Sequence, residues 1–204
     1  MRLEPADAAA ITEAVRTLEG GSCAEVVVEV RGRSGAYAQA SARFAALAAF
    51  VALLVLLFSP WSFRAGWVAV DVAAVYALAF YAARRSDSVR QLMTTARERT
   101  DAVRHFAAAA FYERGVANTD AETGVLLYLS LLERRMELLA DRGVLAAVPS
   151  REWNQIVADV RTRDATPATL LDALASLGPL LAQRMPARAG DRDELCNEPR
   201  FLAE

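Results

Sequence analysis

The sequence contains no lysine: all 23 basic residues are arginine. It also has one histidine, His105, and only two cysteines, Cys23 and Cys196, which lie far apart. The coding bias of a GC-rich bacterial genome explains the missing lysine and the abundant alanine. The cysteines have no metal-ligand spacing, so we expect free, reduced thiols in a cytoplasmic domain. The formal net charge of −2 gives no basic footprint, which excludes nucleic acid as an expected partner.

Motifs of the common catalytic and nucleotide-binding sites are also absent. No G-x-x-x-x-G-K-[ST], G-x-G-x-x-G, C-x-x-C or H-E-x-x-H occurs. His105 has no serine, cysteine or second histidine at a catalytic spacing, so a surface or helix-packing role is favoured. Glu133-Arg134-Arg135 is interpreted as a charged hairpin tip rather than a functional ion-pair knot. The sequence therefore predicts no catalytic residues.

Two apolar stretches lie between Arg43 and Arg84. Phe44–Phe58 and Gly66–Ala83 are each close to the roughly 20 residues that cross a bilayer core as a helix. Pro60 lies in the short segment between them, where the chain must turn. We therefore predict a transmembrane helical hairpin.

A buried hairpin of a soluble protein is the alternative, because the first stretch is short and Asp71 interrupts the second. The flanking residues favour the membrane. Trp61, Phe63 and Trp67 cluster at the turn, where amphipathic rings favour an interface, and Arg64 is the only arginine there. The other flanking arginines lie at the opposite ends of the two stretches: Arg31, Arg33, Arg43, Arg84, Arg85, Arg90, Arg97 and Arg99.

The arginine distribution predicts the orientation in the membrane. By the positive-inside rule, the short turn faces out and both soluble segments lie in the cytoplasm. The opening residues MRLEPADAAA are acidic, so we expect no signal peptide and a first span that acts as its own insertion signal. The predicted location is the cytoplasmic (inner) membrane, crossed twice, with both termini cytoplasmic.

Outside the hairpin, periodicity and turn residues predict both helices and strands. Ser86–Glu113 is predicted as one long helix or, after a kink, as a separate helix that Ser86 or Asp87 caps. Gly124–Val144 predicts two strands paired as an antiparallel hairpin, although a single helix is the competing interpretation. The predicted elements are the strands Ala24–Val30, Val125–Leu132 and Met136–Ala140, followed by a turn at Asp141-Arg142-Gly143, and the helices Asp7–Glu19, Ser150–Arg163 (capped by Ser150) and Thr166–Arg184 (with Pro167 first).

These elements predict one soluble domain that the membrane hairpin splits in sequence. Because neither an isolated strand nor a lone hairpin is stable in water, Ala24–Val30 must join the sheet that contains Val125–Leu132. The predicted boundaries are residues 1–43 and 84–185 for the two parts of the domain, 44–83 for the hairpin with spans at 44–61 and 66–83, and 186–204 for a loose polar tail.

Two segments resemble the TPM-domain family. They are Glu13–Val30, EAVRTLEGGSCAEVVVEV, and His105–Val144, which contains the fairly specific core GVLLYLSLLERR. The resemblance implies an α/β (α+β) fold, a compact α/β/α sandwich with a small mixed sheet, here with the transmembrane hairpin inserted in it. Family members commonly carry the domain outside the cytoplasm, whereas the charge rule places this one inside.

Some members of that family are described as phosphatases or as binding divalent cations through acidic loops. Carried over to this chain, this implies Asp120, Glu122 and Asp141 as ligands, since they flank the predicted strand hairpin and hard cations prefer oxygen. Solvated turn residues are the alternative, because the usual acidic-Asn-Gly pattern has Thr123 in place of Asn. We expect no cofactor, with Ca²⁺ or Mg²⁺ at these carboxylates as the one exception.

Two functions of different classes follow. The first is a non-catalytic scaffold or binding module for envelope proteins, motivated by the lack of a catalytic constellation beside a strong anchor. The second is a weak divalent-metal-dependent phosphatase, motivated by the resemblance and the acidic loops. Whether the chain is an enzyme stays open. The expected partners are the lipid bilayer and a protein of the envelope.

Overall fold

The computed structural model describes residues 4–35, 37–60, 63–187, 194–195 and 198–202. It divides into two compact units: unit 1 comprises Met1–Ser34 and Thr100–Glu204, and unit 2 is Gly35–Arg99. The helices are α1 (Pro5–Gly21), α2 (Ala38–Phe58), α3 (Ala65–Ala83), α4 (Asp87–Met93), α5 (Ala96–Glu113), α6 (Arg142–Ala147), α7 (Ser150–Thr162) and α8 (Pro167–Arg184), and the strands are β1 (Glu25–Arg31), β2 (Gly124–Ser130), β3 (Arg135–Ala140) and β4 (Arg200–Leu202).

Within the described residues, unit 1 forms a four-stranded mixed sheet with the order β3–β2–β1–β4. β1 and β2 are parallel, with Val28 opposite Leu127, and β2 and β3 form an antiparallel hairpin. A parallel pair needs a long crossover connection, and here unit 2 and α5 lie in that connection. The prediction that Ala24–Val30 joins the sheet that contains Val125–Leu132 is confirmed. The competing interpretation of Gly124–Val144 as a single helix is wrong.

Alternate residues of the central strands face opposite layers, because successive side chains of a strand point to opposite sides. On one face Val28 and Leu127 pack with α1, α7 and α8. On the other face Val27, Leu126 and Tyr128 pack with α5. Every residue of β2 is buried, as expected of a strand covered on both sides. These layers confirm the predicted α/β/α sandwich.

Several helices begin at a local capping signal. Thr166 caps α8 and Pro167 is its first residue, as predicted. The predicted cap of α7 is wrong: Ser150 is already helical, because the preceding Pro149 holds the extended cap position. The expected turn at Asp141 instead starts the short helix α6, with Asp141 as its cap.

The segment after the second apolar stretch is broken into two helices. α4 ends at Met93 and α5 begins at Ala96. Ser86 Oγ accepts a hydrogen bond from the amide of Val89 at 3.3 Å, which satisfies one of the unpaired donors at the start of α4. The single long helix Ser86–Glu113 is therefore wrong. The alternative of a separate helix capped by Ser86 is confirmed for α4, but the second break, at Thr94, was not predicted.

The tail contains a strand that its polar sequence did not predict. Arg200–Leu202 pairs in parallel with β1, and the amide of Gly32 donates to the carbonyl of Leu202 at 2.8 Å. The outer edge of β1 offers unpaired backbone groups, which a short segment of almost any sequence can satisfy. The expectation of a loose tail is wrong for these residues. Cys196 lies outside the described residues, and Cys23 is a free thiol.

Unit 2 contains the two apolar helices, which pack against each other. Ala38–Phe58 and Gly66–Ala83 are long and apolar enough to cross a membrane, and only 17% and 6% of their apolar windows are buried. The first helix begins before the predicted span and ends at Phe58, while the predicted end, Trp61, lies outside the described residues. Small side chains of α2 form its buried face: Ala40, Ser41, Ala45 and Ala49.

Candidate functional site

The loop before β2 and the start of α6 meet at one end of the sheet. The amide of Asp141 donates to the carbonyl of Gly124, and the amide of Gly143 donates to the carbonyl of Glu122, both at 2.9 Å. A Cβ on Gly143 would lie 2.5 Å from the carbonyl oxygen of Ala121, so this approach requires glycine. The backbone segments that carry Glu122 and Asp141 are therefore direct neighbours.

The carboxylate of Glu122 serves a local ion pair. It lies 3.0 Å from Arg142 Nη2, and both side chains are exposed. Glu122 also has a φ of 55°, a left-handed conformation that a non-glycine residue adopts at some cost in strain. The positive charge of Arg142 offsets the negative charge of Glu122, which would otherwise attract a cation.

Asp141 combines a structural bond with an unsatisfied atom. Its Oδ1 accepts a hydrogen bond from the amide of Arg142 at 2.7 Å and so caps α6. Its Oδ2 is buried and has no hydrogen-bond partner among the described residues. A bound cation would satisfy this acceptor, and a buried polar atom without a partner is otherwise costly.

Asp120, the third predicted ligand, lies exposed on the preceding loop. Its amide donates to Glu194 Oε2 at 3.0 Å, which places a carboxylate of the tail beside this loop. The sequence offered no signal for Glu194, because the contact joins segments far apart in the chain. Among the described residues, however, no group of three His, Cys, Asp or Glu side chains is arranged to hold a metal ion. The three predicted carboxylates thus do not fit as a ready ligand set, and Ca²⁺ or Mg²⁺ binding stays a prediction.

A buried ionic cluster lies on β1. Glu29 is fully buried, and its two carboxylate oxygens lie 2.7 Å from Arg31 Nε and 2.7 Å from Arg114 Nε. The guanidinium of Arg31 also lies 5.4 Å from the centroid of the Phe106 ring. A buried carboxylate with two arginine partners is compensated in charge, which favours a structural role. Strand alternation predicts that Glu29 lies on the face of β1 away from Val26, Val28 and Val30. Only the fold shows that the face with Glu29 is also covered.

A second buried polar cluster joins the end of β1 to the β2–β3 turn. Glu133 accepts hydrogen bonds from the amide of Ser34 at 3.0 Å and 3.2 Å and from the hydroxyl of Ser130. Ser34 Oγ lies 2.8 Å from both Ser130 Oγ and the hydroxyl of Tyr128, whose burial raises its pKa to about 12. The interpretation of a charged hairpin tip is wrong for Glu133, which is buried, and holds for the exposed Arg134.

A small cavity of about 140 Å³ lies among α5, β3 and α7. The buried Glu137 pairs there with Arg161, and Arg104 and Arg135 complete a basic lining. His105 lies on the neighbouring exposed surface of α5, in edge-to-face contact with Phe106 at 5.8 Å. His105 is therefore exposed, in agreement with the surface alternative of the predicted surface or helix-packing role.

The chain is similar to known proteins both in a family model and in its fold. Residues 76–164 match the family model described as the TPM domain, a region that begins within α3 and leaves β1 outside. Among solved structures, the NMR structure of the BA42 protein from the psychrophilic bacterium Bizionia argentinensis has a TM-score of 0.54 and 15% identity, covering 98% of this chain and 96% of that chain. At that identity the likeness shows a shared fold. The search of curated proteins finds no match.

Proposed function

This chain carries a TPM domain, as the sequence resemblance predicted, and we propose that it is a membrane-anchored, non-catalytic binding module for another protein of the envelope. The proposal rests on one observation: two of the predicted ligands at the loop end of the sheet, Glu122 and Asp141, form bonds within the structure. Glu122 pairs with Arg142, and Asp141 caps α6. Groups held in structural bonds are poor candidates for acid, base or metal-ligand roles.

The exposed apolar surface of α2 and α3 supports the anchor. Phe50, Val55 and Phe58 are 56%, 64% and 84% exposed, which would be costly in water but is favourable in lipid. The arginine distribution supports a two-pass arrangement in the inner membrane with both termini cytoplasmic. A cysteine at Ser62, in a background without Cys23 and Cys196, tests this orientation. We expect an impermeant thiol reagent to label it in intact cells, and labelling only after lysis would overturn the orientation.

A weak divalent-metal-dependent phosphatase is the second candidate. The unsatisfied Oδ2 of Asp141 favours it, because a bound cation would satisfy that atom. The exposed carboxylate of Asp120 on the neighbouring loop is available as a further ligand. In this function Asp120, Glu122 and Asp141 would hold the cation only after Glu122 leaves its pair with Arg142, and the cation would polarise a phosphoryl oxygen when bound.

Thermal unfolding with and without calcium distinguishes the two functions. For the binding module we expect millimolar Ca²⁺ to leave the Tm unchanged, because ligands stabilise only a state that binds them. Asp141→Ser is the informative variant, since serine keeps a helix cap but removes the carboxylate. A calcium-dependent rise in Tm that is lost in Asp141→Ser and in Asp120→Asn would favour the phosphatase. Crosslinking and pull-down from native membranes, with a protein captured specifically by the wild-type chain, is the direct test of the binding module.

A further inference from the structure

We propose that the arginine-rich end of unit 2 binds the headgroups of anionic phospholipids, with Arg84 and Arg85 as the contact residues. The inference rests on the proposed membrane anchor and names the lipid class that the anchor selects. Apolar helices by themselves discriminate little between headgroups, because they contact the acyl chains. Selection must therefore come from charged groups at the end of the helices.

The charge of unit 2 is concentrated at one end of its helices. Gly35–Arg99 contains seven arginines against three carboxylates, a formal charge of +4. At the turn end, Arg64 and Asp71 offset each other. The whole excess therefore lies at the other end, the arginine end, which comprises Arg43, Arg84, Arg85, Arg90, Arg97 and Arg99 together with Asp87 and Glu98.

Two of these arginines are neutralised inside unit 2. Arg43 Nη2 lies 2.8 Å from Glu98 Oε1, and Arg90 Nη1 lies 2.6 Å from Asp87 Oδ1. These pairs engage both carboxylates of the arginine end. Among the remaining arginines, Arg84 and Arg85 pair with no carboxylate of the described part of unit 2.

Arg84 and Arg85 are the arginines best arranged to meet an anion. Both directly follow the last turn of α3, both are exposed, and neither forms an ion pair with a carboxylate that the structure describes. Their position is therefore that of the headgroup layer at the end of a membrane-crossing helix. There an uncompensated cation attracts lipid phosphates.

Aromatic rings hold the two guanidinium groups. The guanidinium of Arg85 lies 3.8 Å from the centroid of the Tyr81 ring, and that of Arg84 lies 5.8 Å from the centroid of the Phe80 ring. Such contacts use the face of the guanidinium and leave its N–H edge free. A planar edge with parallel donors matches two oxygens of a phosphate. The arrangement thus lowers the entropy cost of binding a phosphodiester.

The test measures lipid selectivity of the full chain in a bilayer. The protein is reconstituted in phosphatidylcholine vesicles, washed with alkaline carbonate, and probed with spin-labelled phosphatidylglycerol or spin-labelled phosphatidylcholine. We expect the washed chain to stay with the vesicles and to prefer phosphatidylglycerol by about fivefold or more, since each basic residue near an anionic surface contributes roughly that factor. Release by carbonate would overturn the proposed anchor. Retention without any preference would overturn the lipid inference alone.

The contact residues are tested by a pair of double variants with the same change in charge. Arg84→Gln with Arg85→Gln should reduce the preference to near parity. Arg64→Gln with Arg151→Gln, which removes two exposed arginines elsewhere, should keep it. Equal preferences in the two variants would overturn the assignment to Arg84 and Arg85. In Arg84→Lys with Arg85→Lys we expect a preference below that of the wild type, because lysine keeps the charge but lacks the planar donor edge; a full wild-type preference would contradict the proposed phosphate geometry.

Discussion

Units 1 and 2 are both rich in apolar residues, yet they use them in opposite ways. Unit 1 buries its large side chains: Leu126, Leu127 and Tyr128 on β2 are completely covered. Unit 2 buries alanine and serine on α2 and exposes large side chains of the same helix, such as Phe50, Leu57 and Phe58. Their formal charges also differ, because unit 2 is +4 and the remainder of a chain with a total of −2 is therefore −6. The contrast supports the proposal that unit 2 is in contact with lipid and unit 1 with water.

The largest effect that would test this contrast is a truncation in the core. Leu127→Ala on β2 should lower the free energy of unfolding by about 2 to 5 kcal/mol, because it removes packed methyl groups and leaves a cavity. Val55→Ala on the exposed face of α2 should change it far less. Denaturant unfolding of the detergent-solubilised full chain, followed by near-UV circular dichroism, measures both. Equal losses would mean that the face of α2 is packed against protein.

The ionic cluster of unit 1 gives the next effect. Glu29→Gln should cost about 3 kcal/mol, since it leaves Arg31 and Arg114 facing a buried position without a counter-charge. Both arginines keep some contact with solvent, which limits the loss. The same unfolding measurement applies, with Glu113→Gln on the exposed side of the cluster as the control. A Glu29→Gln variant as stable as the wild type would show that the cluster is not part of the packed core.

The second buried polar cluster, at Glu133, should have an intermediate effect on stability. Glu133→Gln keeps the size of the side chain but weakens the bonds from the Ser34 amide and the Ser130 hydroxyl, at a cost of about 1 to 3 kcal/mol. Arg134→Gly is the neighbouring control. It should be neutral or slightly stabilising, because Arg134 has a φ of 52°, which glycine adopts without strain. A larger loss of stability in Arg134→Gly than in Glu133→Gln would contradict a stabilising role of this cluster.

The smallest effect concerns an exposed ion pair of unit 2. Hydrogen bonds from Arg43 hold the pKa of Glu98 at about 2, below its ordinary value of 4.5. Because the folded pKa is the lower one, the stabilising contribution is complete above pH 4.5 and is lost as the pH falls toward 2. Glu98→Gln should match the wild type closely at neutral pH, since exposed pairs contribute little. The difference in Tm between the two should shrink further on acid titration, and a difference that grows instead would contradict the pairing.

Local sequence patterns were reliable where the signal and the structure are both local. The apolar run after Thr123 predicted a central strand, and the tight polar break after it predicted the antiparallel hairpin. Thr166 and Pro167 predicted the start of α8. The backbone segments that carry Glu122 and Asp141 are neighbours, because the segments before β2 and after β3 must end at the same edge of the sheet. Cation binding by their side chains stays a prediction, because side-chain directions and competing arginines are not visible in spacing.

The sequence by itself determined the pattern of apolar residues, and with it the helical hairpin of unit 2, the central strands of unit 1 and their faces. Periodicity is sufficient for this, because it reflects how one segment meets its solvent. Only the tertiary structure decided that Glu29 and Glu133 are buried, that Glu122 pairs with Arg142, and that Arg200–Leu202 completes the sheet. Each of these depends on a partner distant in sequence, and the identity of that partner follows from how the whole chain packs.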